Sequence, residues 1–156
     1  MAIRPKEGSR APDFSMDSTQ GPIKLGDFKG RMLVLYFYPK DDTPGCTTEA
    51  KDFTSLAGEF AKAGAAVVGV SRDSMARHEK FAGKHDLDLI LASDEDGTVC
   101  EAFGVWVEKQ NYGRTYMGIE RSTFLIGPDK RVIRIWPKVR VKGHAEEVLS
   151  AVRSGA

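Results

Sequence analysis

The chain has 156 residues and a mass of 17.1 kDa, and its 23 Lys and Arg nearly balance its 22 Asp and Glu, leaving a formal net charge of +1. This length predicts one domain over residues 1–156, since domains cluster at about 100–200 residues. The 41% hydrophobic and 29% charged content is typical of a globular protein and excludes collagen-like, disordered and disulfide-scaffold classes. So small a net charge argues against a dedicated nucleic-acid or anionic-membrane binder.

Hydropathy and cysteine content indicate the cellular compartment of the protein. A bilayer needs roughly 18–20 apolar residues in succession, whereas the longest apolar run here, 32–38, has seven. The first residues, MAIRPKEGSRAPDF, contain no apolar core of a secretory signal. Cys46 and Cys100 are therefore expected in a reducing compartment, where thiols are more often catalytic or inert than structural. We predict a cytoplasmic protein that does not bind membranes.

The apolar pattern predicts strands and helices in alternation. In chain order the predicted elements are a strand at 32–38, a helix from Pro44 closed by Gly64, a strand at 65–70, a helix capped by Ser74, a strand at 87–91, a short helix after the turn at 94–97, an irregular segment at 107–118, a hairpin of strands 122–126 and 131–136, and a helix at 145–152. Alternation favours parallel strands with helices on both faces, and the hairpin adds an antiparallel edge. We predict an α/β, thioredoxin-like fold with a mixed central sheet.

Cys46 lies at the predicted start of a helix, directly after a predicted core strand. Thr43 suits the N-cap position and Pro44 the first helical position, so Cys46 falls within the first turn. There its sulfur would lie among unpaired backbone N–H groups at the positive end of the helix dipole, which favour the thiolate. Cys46 is therefore the candidate nucleophile. The alternative is a small buried side chain without chemistry.

Pro39, Thr43 and Cys46 reproduce the Pro-x-x-x-Thr-x-x-Cys active-site signature of the peroxiredoxins, and the chain resembles that family. The wider string FYPKDDTPGCTTEA is similar to its bacterioferritin-comigratory-protein, or peroxiredoxin Q, branch. The resemblance extends over almost the whole chain, through APDF, SDEDG, YMGIERSTFLI and KVRVKGHAEEVL. It implies a thiol-dependent peroxidase that reduces hydrogen peroxide and organic hydroperoxides with no cofactor, because the sulfur itself is the redox centre.

The resemblance also implies a role for each of five residues. Cys46 would attack the hydroperoxide and become a sulfenic acid. Thr43 would aim its hydroxyl at the bound peroxide, and Pro39 would shield the thiolate from water. Arg121 matches the family's active-site arginine and would stabilise the thiolate and the charge on the breaking O–O bond. Glu49 would orient Arg121 through charge-assisted hydrogen bonds, although the helix dipole alone also explains an exposed carboxylate at this position.

The chain departs from this branch where many members carry a second, resolving cysteine. Lys51 stands five residues after Cys46, and Ala82 stands where other members place that cysteine in the following helix. Cys100 is the only other thiol, and three outcomes stay open. In the first, Cys100 forms an intramolecular disulfide with Cys46 that thioredoxin reduces. In the second, it forms a disulfide between two subunits. In the third, it is buried and an external thiol resolves the sulfenic acid of Cys46. The reductant is accordingly thioredoxin or another thiol, and the protein is a monomer or a dimer.

Other functions have weaker support in the residues. His78, His85 and His144 are not spaced for joint metal binding and are expected on the surface, and the Asp94–Gly97 turn lacks the spacing of a calcium loop. Five basic residues near the C-terminus are expected at a solvated sheet edge: Arg131, Arg134, Lys138, Arg140 and Lys142. The competing function is a non-enzymatic redox sensor, in which oxidation of Cys46 alters a contact with a partner.

Overall fold

A mixed sheet of seven strands, with helices on both faces, forms the centre of the computed structural model, which describes residues 4–155. The strands are β1 (Ser15–Ser18), β2 (Ile23–Lys24), β3 (Met32–Phe37), β4 (Ala65–Ser71), β5 (Ile90–Ser93), β6 (Trp106–Asn111), β7 (Arg114–Ile119), β8 (Ser122–Ile126) and β9 (Val132–Trp136). The α-helices are α1 (Pro44–Ser55), α2 (Ala57–Lys62), α3 (Met75–His85), α4 (Thr98–Ala102) and α5 (His144–Ser154), and a 3-10 turn covers Leu25–Phe28.

The strand order in the large sheet is β2-β1-β5-β4-β3-β8-β9. Strands β3, β4 and β5 are parallel, β8 pairs antiparallel with β3, and β9 closes that edge. Strand β3 lies in the interior of the sheet, between β4 and β8, and both of its faces are covered. Its sequence, MLVLYF, is apolar and aromatic throughout, as this position requires. This topology confirms the predicted thioredoxin-like α/β fold with its antiparallel terminal hairpin.

Alternate residues of β3 enter two separate cores. Leu33 and Phe37 belong to a core that α4 and the 3-10 turn cover, which we call the α4 face. Val34 and Tyr36 belong to the core that α1, α2, α3 and α5 cover, which we call the α1 face. Successive side chains of a strand point to opposite sides of the sheet, so the sheet itself separates these two cores.

The predicted helix from Pro44 to Gly64 is two helices. The chain leaves helical geometry at Leu56, between α1 and α2, and Gly64 then ends the second helix in the left-handed region with a φ of 80°. Both helices still present the predicted apolar face, since Phe53 and Phe60 are buried in the same core. No helix within residues 4–155 is long and apolar enough to cross a membrane.

The segment at 107–118 is not irregular, and that prediction was wrong. It forms the antiparallel hairpin of β6 and β7, in which Asn111 pairs with Arg114. Tyr112 and Gly113 make the two-residue turn, with φ values of 52° and 76°. Two successive positive φ values suit the right-handed twist of a hairpin. Asn111 and Gly113, which are typical of irregular segments, therefore belong here to a tight turn and its flank. The short strands β1 and β2 were not predicted from the sequence.

Gly69 of β4 lies against the ring of Tyr36, its partner in β3. A Cβ at Gly69 would stand 2.7 Å from Cζ of Tyr36. We expect Gly69→Ala to lower the free energy of unfolding by about 1–3 kcal/mol, because the buried ring has little space to shift. Gly58, in α2, has no atom within 4 Å of the position of an added Cβ, so Gly58→Ala should be neutral or stabilising by up to about 1 kcal/mol. Urea denaturation of both variants tests this, and a Gly69→Ala protein as stable as the parent would contradict the packing.

Candidate active site

Cys46 occupies the first turn of α1 and is 2% exposed. Pro44 starts the helix after an extended Thr43, as the sequence predicts. Within residues 4–155 the backbone N–H groups of Gly45 and Cys46 donate to no protein acceptor. The sulfur is therefore enclosed at a helix start whose free donors favour negative charge.

Arg121 connects this sulfur to a buried carboxylate. Its Nη2 donates to the Sγ of Cys46 at 3.3 Å, and its Nη1 donates to Oε1 of Glu49 at 2.6 Å. A Cβ on Gly45 would stand 3.2 Å from Nη2, so glycine leaves the space that the guanidinium occupies against the helix. The backbone of Arg121 is fixed as well, since its carbonyl accepts from the N–H of Val139 at 2.8 Å. The structure thus brings three of the predicted residues into direct contact.

Glu49 is 1% exposed, unlike the surface carboxylate that the helix dipole alone would explain. Its Oε2 has no hydrogen-bond partner among the described residues. Burial raises the pKa of Glu49 to about 7, and the nearby charge of Arg121 opposes that rise only in part. The carboxyl group therefore changes its charge near neutral pH, next to the guanidinium that also contacts the sulfur.

Thr43 and Pro39 lie on the loop between β3 and α1. Thr43 occupies the N-cap position, but its side chain does not cap the helix. Its Oγ1 donates instead to the carbonyl of Lys40 at 2.9 Å. The predicted N-cap position of Thr43 is therefore confirmed, but its hydroxyl turns back to the loop and does not cap the helix. Pro39 is exposed and lines a surface cleft.

The same loop is fixed to α3 by a buried hydrogen-bonded pair, Asp41 and His78. Asp41 and His78 are 3% and 0% exposed, and Oδ2 of Asp41 lies 2.6 Å from Nδ1 of His78. The other ring nitrogen lies 2.9 Å from the carbonyl of Ala92, so each nitrogen of the ring lies within hydrogen-bond distance of an oxygen. Tyr38 donates its hydroxyl to the second oxygen of Asp41. The prediction that His78 lies on the surface is wrong. The ring is buried and contacts Asp41 and the carbonyl of Ala92, and an apolar side chain could not form these hydrogen bonds.

The other two histidines also have partners. His85 is half-buried and bonds Asp42 at 2.8 Å, so α3 holds the loop at a second position. His144 is buried, and its Nε2 lies 2.8 Å from Oγ1 of Thr123. Burial, with a smaller contribution from the charge of Arg121, lowers the pKa of His144 to about 4. The surface prediction is wrong for His144, whose ring packs at the start of α5.

Cys100 lies in α4, 0% exposed, within the core of the α4 face. Cys46 belongs to the core of the α1 face, so the sheet separates the two thiols. The N–H of Cys100 donates to Oδ2 of Asp94 at 2.7 Å. Burial, and after it the charge of Asp94, raises the pKa of the Cys100 thiol well above its usual range. In this structure Cys100 is a core side chain that faces away from the site.

A cleft of about 500 Å³ lies between the β6–β7 hairpin and the loop that carries Pro39. We call it the hairpin cleft. Its lining comprises Pro39, Lys40, Arg72, Glu95, Trp106, Lys109, Tyr116, Met117, Gly118 and Ile119. These hairpin residues were not predicted, because the sequence pattern indicated an irregular segment at 107–118. The two-residue turn at Tyr112 and Gly113 is the signal that identifies the hairpin.

No group of three or more His, Cys, Asp or Glu side chains within residues 4–155 is arranged to hold a metal ion.

Comparisons with known proteins agree with the fold. The model of the AhpC/TSA family matches residues 8–135. Peroxiredoxin Bcp of Bacillus subtilis is 50% identical over 147 residues, which cover 94% of each chain. The solved structure of the Xanthomonas campestris bacterioferritin comigratory protein, described for its alkyl peroxide reduction activity, has a TM-score of 0.87 at 47% identity and 91% coverage of both chains. A cysteine-to-serine mutant of Xylella fastidiosa PrxQ has a TM-score of 0.93 at 40% identity and 98% coverage of both chains.

The matched family and its relatives define a class of thiol-dependent peroxidases. The chain belongs to the AhpC/TSA family, as a peroxiredoxin of the bacterioferritin-comigratory-protein, or peroxiredoxin Q, branch.

The raised pKa of Glu49 predicts a specific dependence of stability on pH. Folded Glu49 keeps its proton up to about pH 7, whereas an ordinary glutamate loses it near 4.5. Between these values the folded state binds more protons than the unfolded state, so the free energy of unfolding falls as pH rises. Glu49→Gln removes this loss, and from pH 4.5 to pH 7 we expect the variant to gain up to about 3 kcal/mol relative to the parent. Urea denaturation at several pH values measures the difference, and Glu79→Gln on the exposed side of α3 should show none.

The buried pair of Asp41 and His78 predicts a large difference between two neighbouring substitutions. Asp41→Asn should lower the free energy of unfolding by about 1–3 kcal/mol, because the amide replaces one of the two carboxylate oxygens that bond Tyr38 and His78 in the core. Asp42→Asn, whose side chain is 38% exposed, should cost much less, because solvent screens a charge pair at the surface. Urea denaturation of both proteins tests the pair. Equal and small effects would show that the contact between Asp41 and His78 does not fix the loop.

Proposed function

We propose that this peroxidase reduces hydrogen peroxide and organic hydroperoxides through a sulfenic acid on Cys46, which an external thiol then resolves. The observation that supports it most directly is the 3.3 Å contact between Nη2 of Arg121 and Sγ of Cys46 at the start of α1. A fixed positive charge and unpaired N–H groups at one sulfur favour the thiolate, which is the reactive form of cysteine.

In the first step the Cys46 thiolate attacks the terminal oxygen of the hydroperoxide. The S–O bond forms as the O–O bond breaks, and the leaving oxygen takes a proton to become water or an alcohol. Cysteine is oxidised to the sulfenic acid and the peroxide is reduced. Arg121 stabilises the charge that develops on the leaving oxygen, and the free N–H groups of Gly45 and Cys46 are donors to the bound peroxide.

The other predicted residues, Glu49, Thr43 and Pro39, assist this step by orienting Arg121, binding the peroxide and restricting water. Glu49 holds one arm of the guanidinium at 2.6 Å and so directs the other arm to the sulfur. Thr43 contributes its hydroxyl to the peroxide by exchanging its bond to Lys40 for one to the substrate. Pro39 covers the loop side of the site, at the border of the hairpin cleft, and restricts water at the thiolate.

The second step requires a thiol from outside the chain. Cys100 is buried on the α4 face with a raised pKa, which disfavours both an internal disulfide and a bridge between subunits. An external thiol therefore attacks the sulfenic acid, giving a mixed disulfide and water, and a second thiol releases reduced Cys46. Because Cys46 is 2% exposed, the first turn of α1 opens for this exchange. Free thiols suit a reducing compartment, and we propose the cytoplasm as the location.

Two cysteine substitutions separate this cycle from its alternatives. We expect Cys46→Ser to abolish peroxide consumption, and Cys100→Ala to retain it within about twofold, because only Cys46 reacts. Mass spectrometry after one equivalent of peroxide should find one added oxygen on Cys46 and a Cys100 thiol that still titrates after unfolding.

Three results would contradict the cycle. They are turnover in folded Cys46→Ser, loss of turnover in folded Cys100→Ala, and a disulfide between the two cysteines. If the protein is oxidised once but does not turn over with an added thiol, it is a redox sensor and not a peroxidase.

A further inference from the structure

The loop between β9 and α5 carries three basic residues that the peroxidase cycle does not use. The sequence predicts them at a sheet edge, but Lys138, Arg140 and Lys142 lie beyond the end of β9. All three are exposed, and none forms an ion pair within residues 4–155. Uncompensated charges of one sign concentrate ligands of the opposite sign. This loop therefore favours an anionic ligand.

The basic residues border a cavity of about 330 Å³ between the loop and the start of α5, which we call the α5 cavity. Its lining includes Lys138, Arg140, Lys142, His144 and a single carboxylate, Glu147. Oε2 of Glu147 lies 4.0 Å from Nη2 of Arg134, which balances part of its charge. The volume is at the lower end of the range of small-molecule sites, about 300–1,000 Å³. Positive charge thus predominates in a cavity of the size that a small ligand needs.

The start of α5 adds free backbone donors to this cavity. Gly143 precedes the helix, and no side chain caps it. The N–H groups of Ala145 and Glu146 donate to no protein acceptor within residues 4–155. The side chain of Glu146 is exposed and does not line the cavity. Free N–H groups at the positive end of a helix dipole are suited to bind phosphate and other anions.

His144 presents an unpartnered nitrogen to the cavity from the protein interior. The residue is 4% exposed, and its Nε2 lies 2.8 Å from Oγ1 of Thr123. Its Nδ1 forms no hydrogen bond within the described residues, and it lies 3.9 Å from Oε1 of Glu147. Because Glu147 also lines the cavity, Nδ1 is on the cavity side of the ring. A neutral imidazole that accepts the Thr123 hydroxyl hydrogen at Nε2 carries its own hydrogen on Nδ1, as a donor.

The wall of the α5 cavity is fixed before a ligand binds. The N–H of Val139 donates to the carbonyl of Arg121 at 2.8 Å. The ring of Trp136 lies edge-on to His144, with the ring centres 5.8 Å apart. Nε1 of Trp136 is a buried donor without an acceptor among the described residues, whereas a buried indole N–H usually has one. A preformed wall loses little conformational entropy when it binds a ligand.

We propose that the α5 cavity binds a phosphate group, either of free phosphate or of a small phosphorylated molecule. An arginine can bond two phosphate oxygens at once, and lysines add mobile positive charges. The N–H groups of Ala145 and Glu146 and Nδ1 of His144 supply further donors at the helix start. A tetrahedral dianion offers enough oxygens and charge for these groups together, whereas a carboxylate offers two oxygens and one charge.

Nuclear magnetic resonance tests the site directly. The ¹⁵N-labelled full chain is titrated at neutral pH with inorganic phosphate and, separately, with sodium chloride at the same ionic strength. We expect phosphate alone to shift the amides of Ala145 and Glu146 and the ring of His144, all along one saturable curve. At saturation the ring ¹⁵N shifts should place the hydrogen of His144 on Nδ1. Equal shifts in chloride, no shift at these groups, or a hydrogen on Nε2 would each overturn the proposal.

Substitutions in the loop assign the binding to the cavity. Lys138→Gln combined with Arg140→Gln removes two exposed charges and leaves the buried wall intact. This double variant should bind inorganic phosphate at least about tenfold more weakly, because charge-assisted hydrogen bonds are lost. The matched control is Lys29→Gln combined with Lys62→Gln, two exposed lysines outside the cavity, and it should keep the parent dissociation constant. A loop variant that binds phosphate as tightly as this control contradicts the proposal.

A titration with glycerol 3-phosphate identifies the source of the phosphate group. Tighter binding than that of inorganic phosphate supports a small phosphorylated molecule as the ligand, and weaker binding supports the free ion. If neither compound produces saturable shifts at Ala145, Glu146 and His144, the cavity is not a phosphate site.

Discussion

A single guanidinium, that of Arg121, contacts two acidic side chains at this site, Cys46 and Glu49. Arg121 contacts the sulfur of Cys46 with one nitrogen and the buried carboxyl of Glu49 with another. If both acids were ionised, two negative charges would be buried beside one positive charge. Burial of the uncompensated negative charge is unfavourable. The raised pKa of Glu49, about 7, relieves this competition because protonation of the carboxyl leaves the cation to the sulfur.

The position of Cys46 depends on elements on both sides of it in the chain. On the N-terminal side, Asp41 and Asp42 join the loop to α3 through His78, His85 and Lys84. On the C-terminal side, α1 packs against α5 and buries Phe53 in the α1-face core. A turn that opens for the external thiol would therefore do so between two fixed supports, and it could return to the same geometry after each cycle.

The sequence predicted the elements whose pattern is local and missed those that depend on distant partners. The apolar run of β3 and the Thr43-Pro44 helix start need only their neighbours in the chain, and both predictions were confirmed. His78 looked like a surface residue because its partner Asp41 lies 37 positions away. The resemblance implied the contact of Glu49 with Arg121, 72 positions later, but the burial of Glu49 was not predicted because it depends on the packing of α1 against distant parts of the chain.

The β6–β7 hairpin pairs only with itself among the described strands and stands apart from the seven-stranded sheet. Its side chains can therefore change without altering the register of any core strand, whereas substitutions in β3 or β8 would disturb both cores. Apart from Ile119, which is buried in the core of the α4 face, substitutions in this hairpin would meet few folding constraints. Homologues with the same Cys46 chemistry could thus diverge in the molecules they accept, by changing this appendage alone.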